Sequence, residues 1–346
     1  MDHDYGLRVI DVADPQAPAE SGYCDTPGTE WGVAVTGSLA CVADGESGLR
    51  VIDVSNPQSP VEVGFYDSPG VSYGVAALGS YAYLADDESG LRVVDLSDPT
   101  HPTEVGYCDT PGSSLGIAVT RNFAYIGDRD SGIRVIDISD PTSPVETGHC
   151  PTPEFAEGPA VAGNYVYATT GDSGLRVIDV SDPANPTEVG HCYTRGPASG
   201  VAIVGSYAFV AANQGGLFIA DVSDPANPTE AGYYDMTSNA NEITAVGDYA
   251  YVAADDAGLQ IIEFVHTSVS EDAPARVVSP FGSSTVLHGP LFIPDSPSFA
   301  DRSLADLTGR RVMSLHPGLN DASRLVPGVY FEMSGTGRVR KFVKPR

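Results

Sequence analysis

Of 346 residues, 42% are hydrophobic and 18% charged, and 38 glycines with 27 prolines make about one residue in five a turn-former or chain-breaker. That balance favours many short strands over long helices, and no apolar run approaches the roughly 20 residues of a membrane-spanning helix. A net charge of −28 opposes nucleic-acid phosphates and anionic lipid, so neither a nucleic acid nor a membrane span is expected.

The chain opens inside a repeating unit. The block Gly-Leu-Arg-Val-Ile-Asp starts at Gly6, Gly48 and Gly174, with close variants at Gly90 and Gly132 and weaker copies at Gly216 and Gly258, every step being 42 residues. Copies without insertion or deletion imply equal modules filling one geometric slot. In the unit from Tyr73 to Asp109, two short runs meet at the Gly79-Ser80 turn. Leu91, Val93 and Asp95 then alternate with Arg92, Val94 and Leu96, the period of two of a strand. Asp98-Pro99 and Pro102 break the chain, because proline has no N–H for a ladder, and a fourth run from Thr103 ends at Pro111-Gly112. Four strands in 42 residues predict the blade of a β-propeller, and the absence of a 3.6-residue pattern excludes a helical solenoid.

The run from Gly174 to Pro186 (GLRVIDVSDPANP), the run from Glu104 to Gly112 (EVGYCDTPG) and the paired runs of the GVAV and YAYVAD type closely resemble the bacterial repeat family named for its LVIVD consensus, over about residues 2–265. The resemblance implies an all-β propeller in an exported or surface protein, with a binding, adhesion or scaffold role, and it supplies no catalytic motif. The third-strand motif occurs seven times against six copies of the first-second pair, 25 strands in all. The expectation is seven repeats with the first incomplete, six-bladed closure being the alternative. Met1 falls in the column of Ala43 and Ala85, which points to N-terminal truncation: an upstream segment with one strand pair and a secretory signal peptide. The competing expectation is a true start at Met1, with strands from both ends sharing the closing blade.

Sameness among repeats marks scaffold, so function is sought where they differ. The largest divergence lies in the loop leading into the innermost strand, where Glu30, Trp31, Tyr73, Phe155, Glu157 and Glu242 are expected near one mouth of the axial channel, suited to a glycan or protein ligand. The loops between second and third strands, from Asp44, Asp86 and Asp128 and around Asp172 and Asp255, are expected to crown the same mouth. Asp128-Arg129-Asp130 places oxygens as in half of a calcium loop, making Asp128 and Asp130 metal candidates, but the distal bidentate glutamate is missing. No cofactor is expected beyond that opening for calcium.

Asp11, Asp53, Asp95, Asp137, Asp179 and Asp221, with Glu263, recur in every unit, which argues for turn-bonding rather than acid-base catalysis, since catalysis needs carboxylates in unequal roles. Cys24, Cys108, Cys150 and Cys192 share one column and Cys41 stands in a tyrosine column; equivalent positions on separate blades are too far apart for disulfides, so they read as small buried hydrophobes. His149-Cys150 and His191-Cys192 are adjacent on a strand and point to opposite faces, which disfavours zinc.

The period disappears after about residue 265. Residues 266–274 read as a polar linker, and residues 275–346 as a small antiparallel sandwich. Residues 301–346 carry a net +5 against −33 for the rest. Ser279-Pro280-Phe281, the turn from Asp306 to Arg310, the run from Leu325 to Tyr330 and the basic end from Arg338 to Lys344 resemble the immunoglobulin-like C-terminal sorting domain of type IX secretion substrates, with Ser279 where an asparagine is usual. That resemblance implies a secreted or cell-surface protein whose tail engages the secretion machinery. The expected function is a surface-attached binding scaffold without catalysis; the alternative is an exported lyase or hydrolase with a metal at the channel mouth.

Overall fold

The computed structural model describes residues 6–264 and, beyond them, short strands between residues 285 and 344. Two compact units result, residues 1–275 and 276–346. The first is an all-β propeller of six blades. Blade I comprises Gly32–Thr36, Leu39–Ala43, Leu49–Asp53 and Val61–Tyr66, here called strands a to d from the axis outward. Blades II to V repeat this antiparallel order from Gly74, Gly116, Pro159 and Gly200, and blade VI has three strands, Ala240–Val246, Tyr249–Ala254 and Gly258–Glu263. Among the described residues six inner strands surround the axis, the number of first-second pairs counted in the sequence. The two N-terminal strands, Leu7–Asp11 and Ala19–Cys24, pair only with each other among the described residues.

The repeat motifs explain the geometry. Gly48 and its equivalents open strand c with φ near +70°, and a Cβ at Gly48 would fall 2.3 Å from the Tyr66 carbonyl, so both the backbone and the space require glycine. The glycine of the EVG motif has a different reason: a Cβ on Gly64 would lie 2.3 Å from the Pro99 carbonyl of the next blade. The strand-c aspartates turn the chain, as Asp53, Asp95, Asp137, Asp179 and Asp221 each accept a hydrogen bond at 2.8–2.9 Å from the N–H two residues on. Bonds from those serines hold the Asp53, Asp137 and Asp179 carboxyls below the usual range. Their contribution is therefore present above the unfolded carboxylate pKa and lost as pH falls through the lowered value.

The core lies between blades. Leu49 and Val51 of blade I meet Ala82, Leu84 and Val94 of blade II, and Leu217 and Phe209 of blade V meet Val252 and Ile262 of blade VI. Each such fully buried aliphatic side chain contributes about 1.5–3 kcal/mol, so every blade depends on its neighbours. The five cysteines are free thiols, Cys41 and Cys150 buried, and burial pushes the Cys41 thiol up to about 12.

A second set of aspartates works below the surface. Asp44, Asp86 and Asp128, at the ends of strands b, are completely buried, which corrects the expectation that they crown the mouth. Asp128 accepts hydrogen bonds from the Thr110 hydroxyl at 2.7 Å, the Gly112 N–H at 3.0 Å, the Ser114 hydroxyl at 3.2 Å and Arg134 Nε at 3.3 Å. It clamps the loop that leads into its own blade. Asp86 does the same with Ser68, Gly70 and Ser72.

The second unit holds a five-stranded sheet ordered Thr285–Val286, Arg340–Lys344, Gly328–Met333, Ser303–Ala305, Arg311–Ser314, and a two-stranded sheet of Leu291–Ile293 with Gly318–Asn320. The first pairing in the larger sheet is parallel, unlike the expected all-antiparallel arrangement. The linker 266–274 and the motifs at Ser279-Pro280-Phe281 and Asp306–Arg310 lie outside the described residues.

Breaking a buried, hydrogen-bonded carboxylate away from its arginine costs about 3–5 kcal/mol. Asp128→Ala is expected to lose that much in urea unfolding of the propeller; a loss below about 1 kcal/mol would show that the clamp is ornamental.

Candidate functional site

The loops leading into the six inner strands end at one column of residues: Trp31, Tyr73, Leu115, Glu157, Ser199 and Asn241, one per blade. In blades I to V the backbone N–H at this position bonds the carbonyl at the end of strand b, as from Trp31 to Ala43 and Tyr73 to Ala85 at 2.9 Å. One residue earlier, the loop bridges to the b–c turn of the preceding blade, pairing Gly45 with Ser72, Asp87 with Ser114, Arg129 with Ala156, Gly171 with Ala198 and Asn213 with Ala240. Tyr73, Leu115, Glu157 and Ser199 are therefore fixed from two blades at once.

All six line one axial cavity of about 1050 Å³. Its two halves differ. Blades I to III contribute Trp31, Tyr73 and Leu115, with the Trp31 and Tyr73 rings edge to face at 5.2 Å; blades IV to VI contribute Glu157, Ser199, Asn241 and Glu242. Phe155 stands at the edge of the polar half, exposed, with the Arg129 guanidinium 5.0 Å from its ring centre. The mouth is amphipathic, one side able to stack on a flat or apolar surface and the other to accept and donate hydrogen bonds.

Five of the six anticipated residues, Trp31, Tyr73, Phe155, Glu157 and Glu242, line this cavity. Glu30 departs from the expectation. It occupies the column of Ser72 and Ser114, is 6% exposed, and turns inward to accept a hydrogen bond from the Thr26 hydroxyl, which also bonds Asp44 at 2.8 Å. Asp128 is consumed by the clamp and Asp130 is exposed; among the described residues no group of three His, Cys, Asp or Glu side chains is placed to hold a metal ion. Arg129 and Asn213 are lining residues that the sequence reading missed. Both hold φ near +45°, in a column that elsewhere contains Gly45 and Gly171, and this replacement of glycine was the available signal.

Glu242 stands where the other five blades have glycine, and its carboxylate lies over Gly200, 2.7 Å from where a Cβ would be. The enclosing protein pushes its carboxyl up to about 7; the Ile243 N–H opposes the rise and the Glu157 charge adds to it. Channel water reaches the side chain and works against the full extent of that shift. Burial likewise raises Glu157, with Arg129 pulling it back.

Six blades about a common axis define the class: a β-propeller with a differentiated channel mouth. The chain belongs to the LVIVD repeat family, whose model matches residues 1–26, 27–68, 69–110, 111–152, 156–194, 195–236 and 238–263. No curated protein matches the sequence. Among solved structures, the chain is similar to a functionally unknown protein from Desulfotomaculum acetoxidans (12% identity, TM-score 0.61, covering 70% of this chain and 85% of that one). A chain of a mitotic checkpoint complex is similar at 12% identity and TM-score 0.61, covering 75% and 82%. The Cps50 (Swd1) β-propeller domain of Myceliophteria thermophila follows at 12% and 0.54, covering 69% and 83%. At these identities the likeness establishes the fold.

A carboxyl raised in the folded state favours folding while protonated, and that advantage is lost as pH rises through its folded value. Glu242→Gln is therefore expected to melt close to the parent near pH 4 and above it near pH 8, the gap opening as the pH rises past the ordinary carboxylate value of 4.5 and levelling off above about 7. Thermal unfolding across that range measures it, and a gap independent of pH would remove Glu242 as its source.

Proposed function

We propose that this propeller is a non-catalytic binding module that holds a protein or glycan ligand at the axial mouth. The observation that carries the reading is the ring of six column residues, which share one backbone position yet are all different, while the surrounding scaffold repeats. Aromatic rings beside carboxylates and amides suit a sugar face or a peptide, because rings supply stacking area at low entropic cost and polar groups fix orientation. Trp31→Ala and Phe155→Ala should each weaken binding of the best ligand found on glycan and peptide arrays by about thirtyfold, at unchanged melting temperature. Binding insensitive to both would place the ligand elsewhere.

The same proposal makes the protein a secreted or surface-attached one, with residues 275–346 acting as the export signal through the secretion machinery. The similarity of the tail motifs to type IX sorting domains and the charge reversal from −33 to +5 support this. No helix among the described residues is long and apolar enough to cross a membrane. Deleting residues 275–346 in the native host should leave a folded propeller inside the cell; a truncated chain delivered to the surface would refute the role of the tail.

A further inference from the structure

The axial cavity has a floor as well as a mouth. Along a strand, residues two apart face the same way and stand about 6–7 Å from each other. Two positions beyond the column residues, strands a of blades I to V carry Val33, Val75, Ile117, Pro159 and Val201, all lining the cavity. Nearer the mouth than this aliphatic tier stand the Trp31 and Tyr73 rings in one half and Glu157 and Glu242 in the other.

The charges of the lining do not balance. Arg129, Glu157 and Glu242 are its charged residues, one positive against two negative. The Arg129 guanidinium is already engaged, 5.0 Å from the Phe155 ring centre and drawn to the Glu157 carboxyl. Glu242 accepts a hydrogen bond from the uncharged Ile243 N–H at 3.1 Å, and the charged side chain that acts on it is Glu157, of the same sign. Any ligand that fills the cavity strips water from these carboxylates. A neutral occupant leaves the excess negative charge desolvated, an anionic one adds to it, and a cation offsets it. The faces of aromatic rings favour a cation as well, through their quadrupoles.

We propose that the mouth selects a single cationic group of a partner polypeptide, supplied by a lysine or arginine side chain or by a chain N-terminus. Its charge sits at Glu242 and Glu157, while the apolar atoms beside it rest on Trp31, Tyr73 and the aliphatic tier. The assignment rests on the reading of the mouth as a binding site and narrows its ligand to a basic point on a protein. One positive charge matches the excess of one negative charge in the lining, and the apolar stem of a basic residue matches the rings and the floor.

Hexapeptide arrays probed with the full chain test this, each peptide printed in its basic form and in a neutral form with amines acetylated and arginine replaced by citrulline. The tightest binders are expected to carry a basic group and to lose about tenfold in affinity when it is neutralised. Glu242→Gln and Glu157→Gln should each weaken the same peptides about tenfold without lowering the melting temperature. Neutralising the N-terminus, lysine or arginine separately identifies the source of the charge. Because an acidic protein attracts any basic peptide, Glu46→Gln, on the exposed b–c turn of blade I, is the control and should change affinity by less than about twofold. Neutral forms that bind as tightly, a Glu46→Gln effect as large as that of Glu242→Gln, or arrays without basic binders would overturn the proposal. Peptides or glycans that need Trp31 but not Glu242 would end the cationic assignment alone, whereas ligands indifferent to Trp31 and Phe155 would end the reading of the mouth itself.

Discussion

The architecture of the mouth depends on a buried carboxylate. In blades I to III an aspartate at the end of strand b gathers a hydroxyl and a glycine N–H from the loop ahead of its blade, with Arg50 and Arg134 closing on Asp44 and Asp128 at 3.4 and 3.3 Å. The loop so held is the one whose last residue faces the channel and, in blades II and III, whose previous residue bridges to the preceding blade. One ionic contact therefore fixes the loop, spaces two blades and aims a side chain at the axis. Burying that charge is tolerable because donors from the loop and the arginine charge surround it, and the guanidinium is covered in turn by an aromatic ring, as Phe65 covers Arg50 at 4.8 Å.

Blades IV to VI lack the clamp. Their columns hold Thr170, Ala212 and Ala254 where Asp stands in the first three, and other bonds are made instead: the Thr170 hydroxyl donates to the Gly174 carbonyl at 2.9 Å within the b–c turn, and the Ser199 hydroxyl donates to the Asn241 carbonyl of the next blade at 2.7 Å. The division coincides with the chemistry of the mouth. Clamped loops carry Trp31, Tyr73 and Leu115, and unclamped ones carry Glu157, Ser199 and Asn241. An apolar half beside a polar half suits a ligand that offers a flat or apolar face on one side and hydrogen-bonding groups on the other.

The 42-residue period made the strand order, the b–c turns and the location of variable loops legible, because each depends on residues within one unit. What escaped the sequence depends on neighbours distant in the chain. Asp44 and Asp130 both stand near a glycine in polar loops, yet one is buried and the other exposed, and the difference lies in Thr26 and Gly28, sixteen to eighteen residues away. Glu30 sits beside Trp31, but alternation along the loop sends one inward to Thr26 and the other to the channel.

Trp31 is the sole tryptophan and stands three residues beyond Gly28, where the Asp44 clamp acts, so its fluorescence reports on the link between buried carboxylate and mouth. The decisive measurement is acrylamide quenching and emission of Asp44→Asn under conditions where the variant remains folded. If the clamp positions the mouth, emission shifts to longer wavelength and quenching rises by about twofold or more, because the amide forfeits the charge that Arg50 and the Gly28 N–H engage. An unchanged spectrum and unchanged quenching in a folded but destabilised variant would contradict the account, leaving the carboxylate as a stabiliser with no hold on the site.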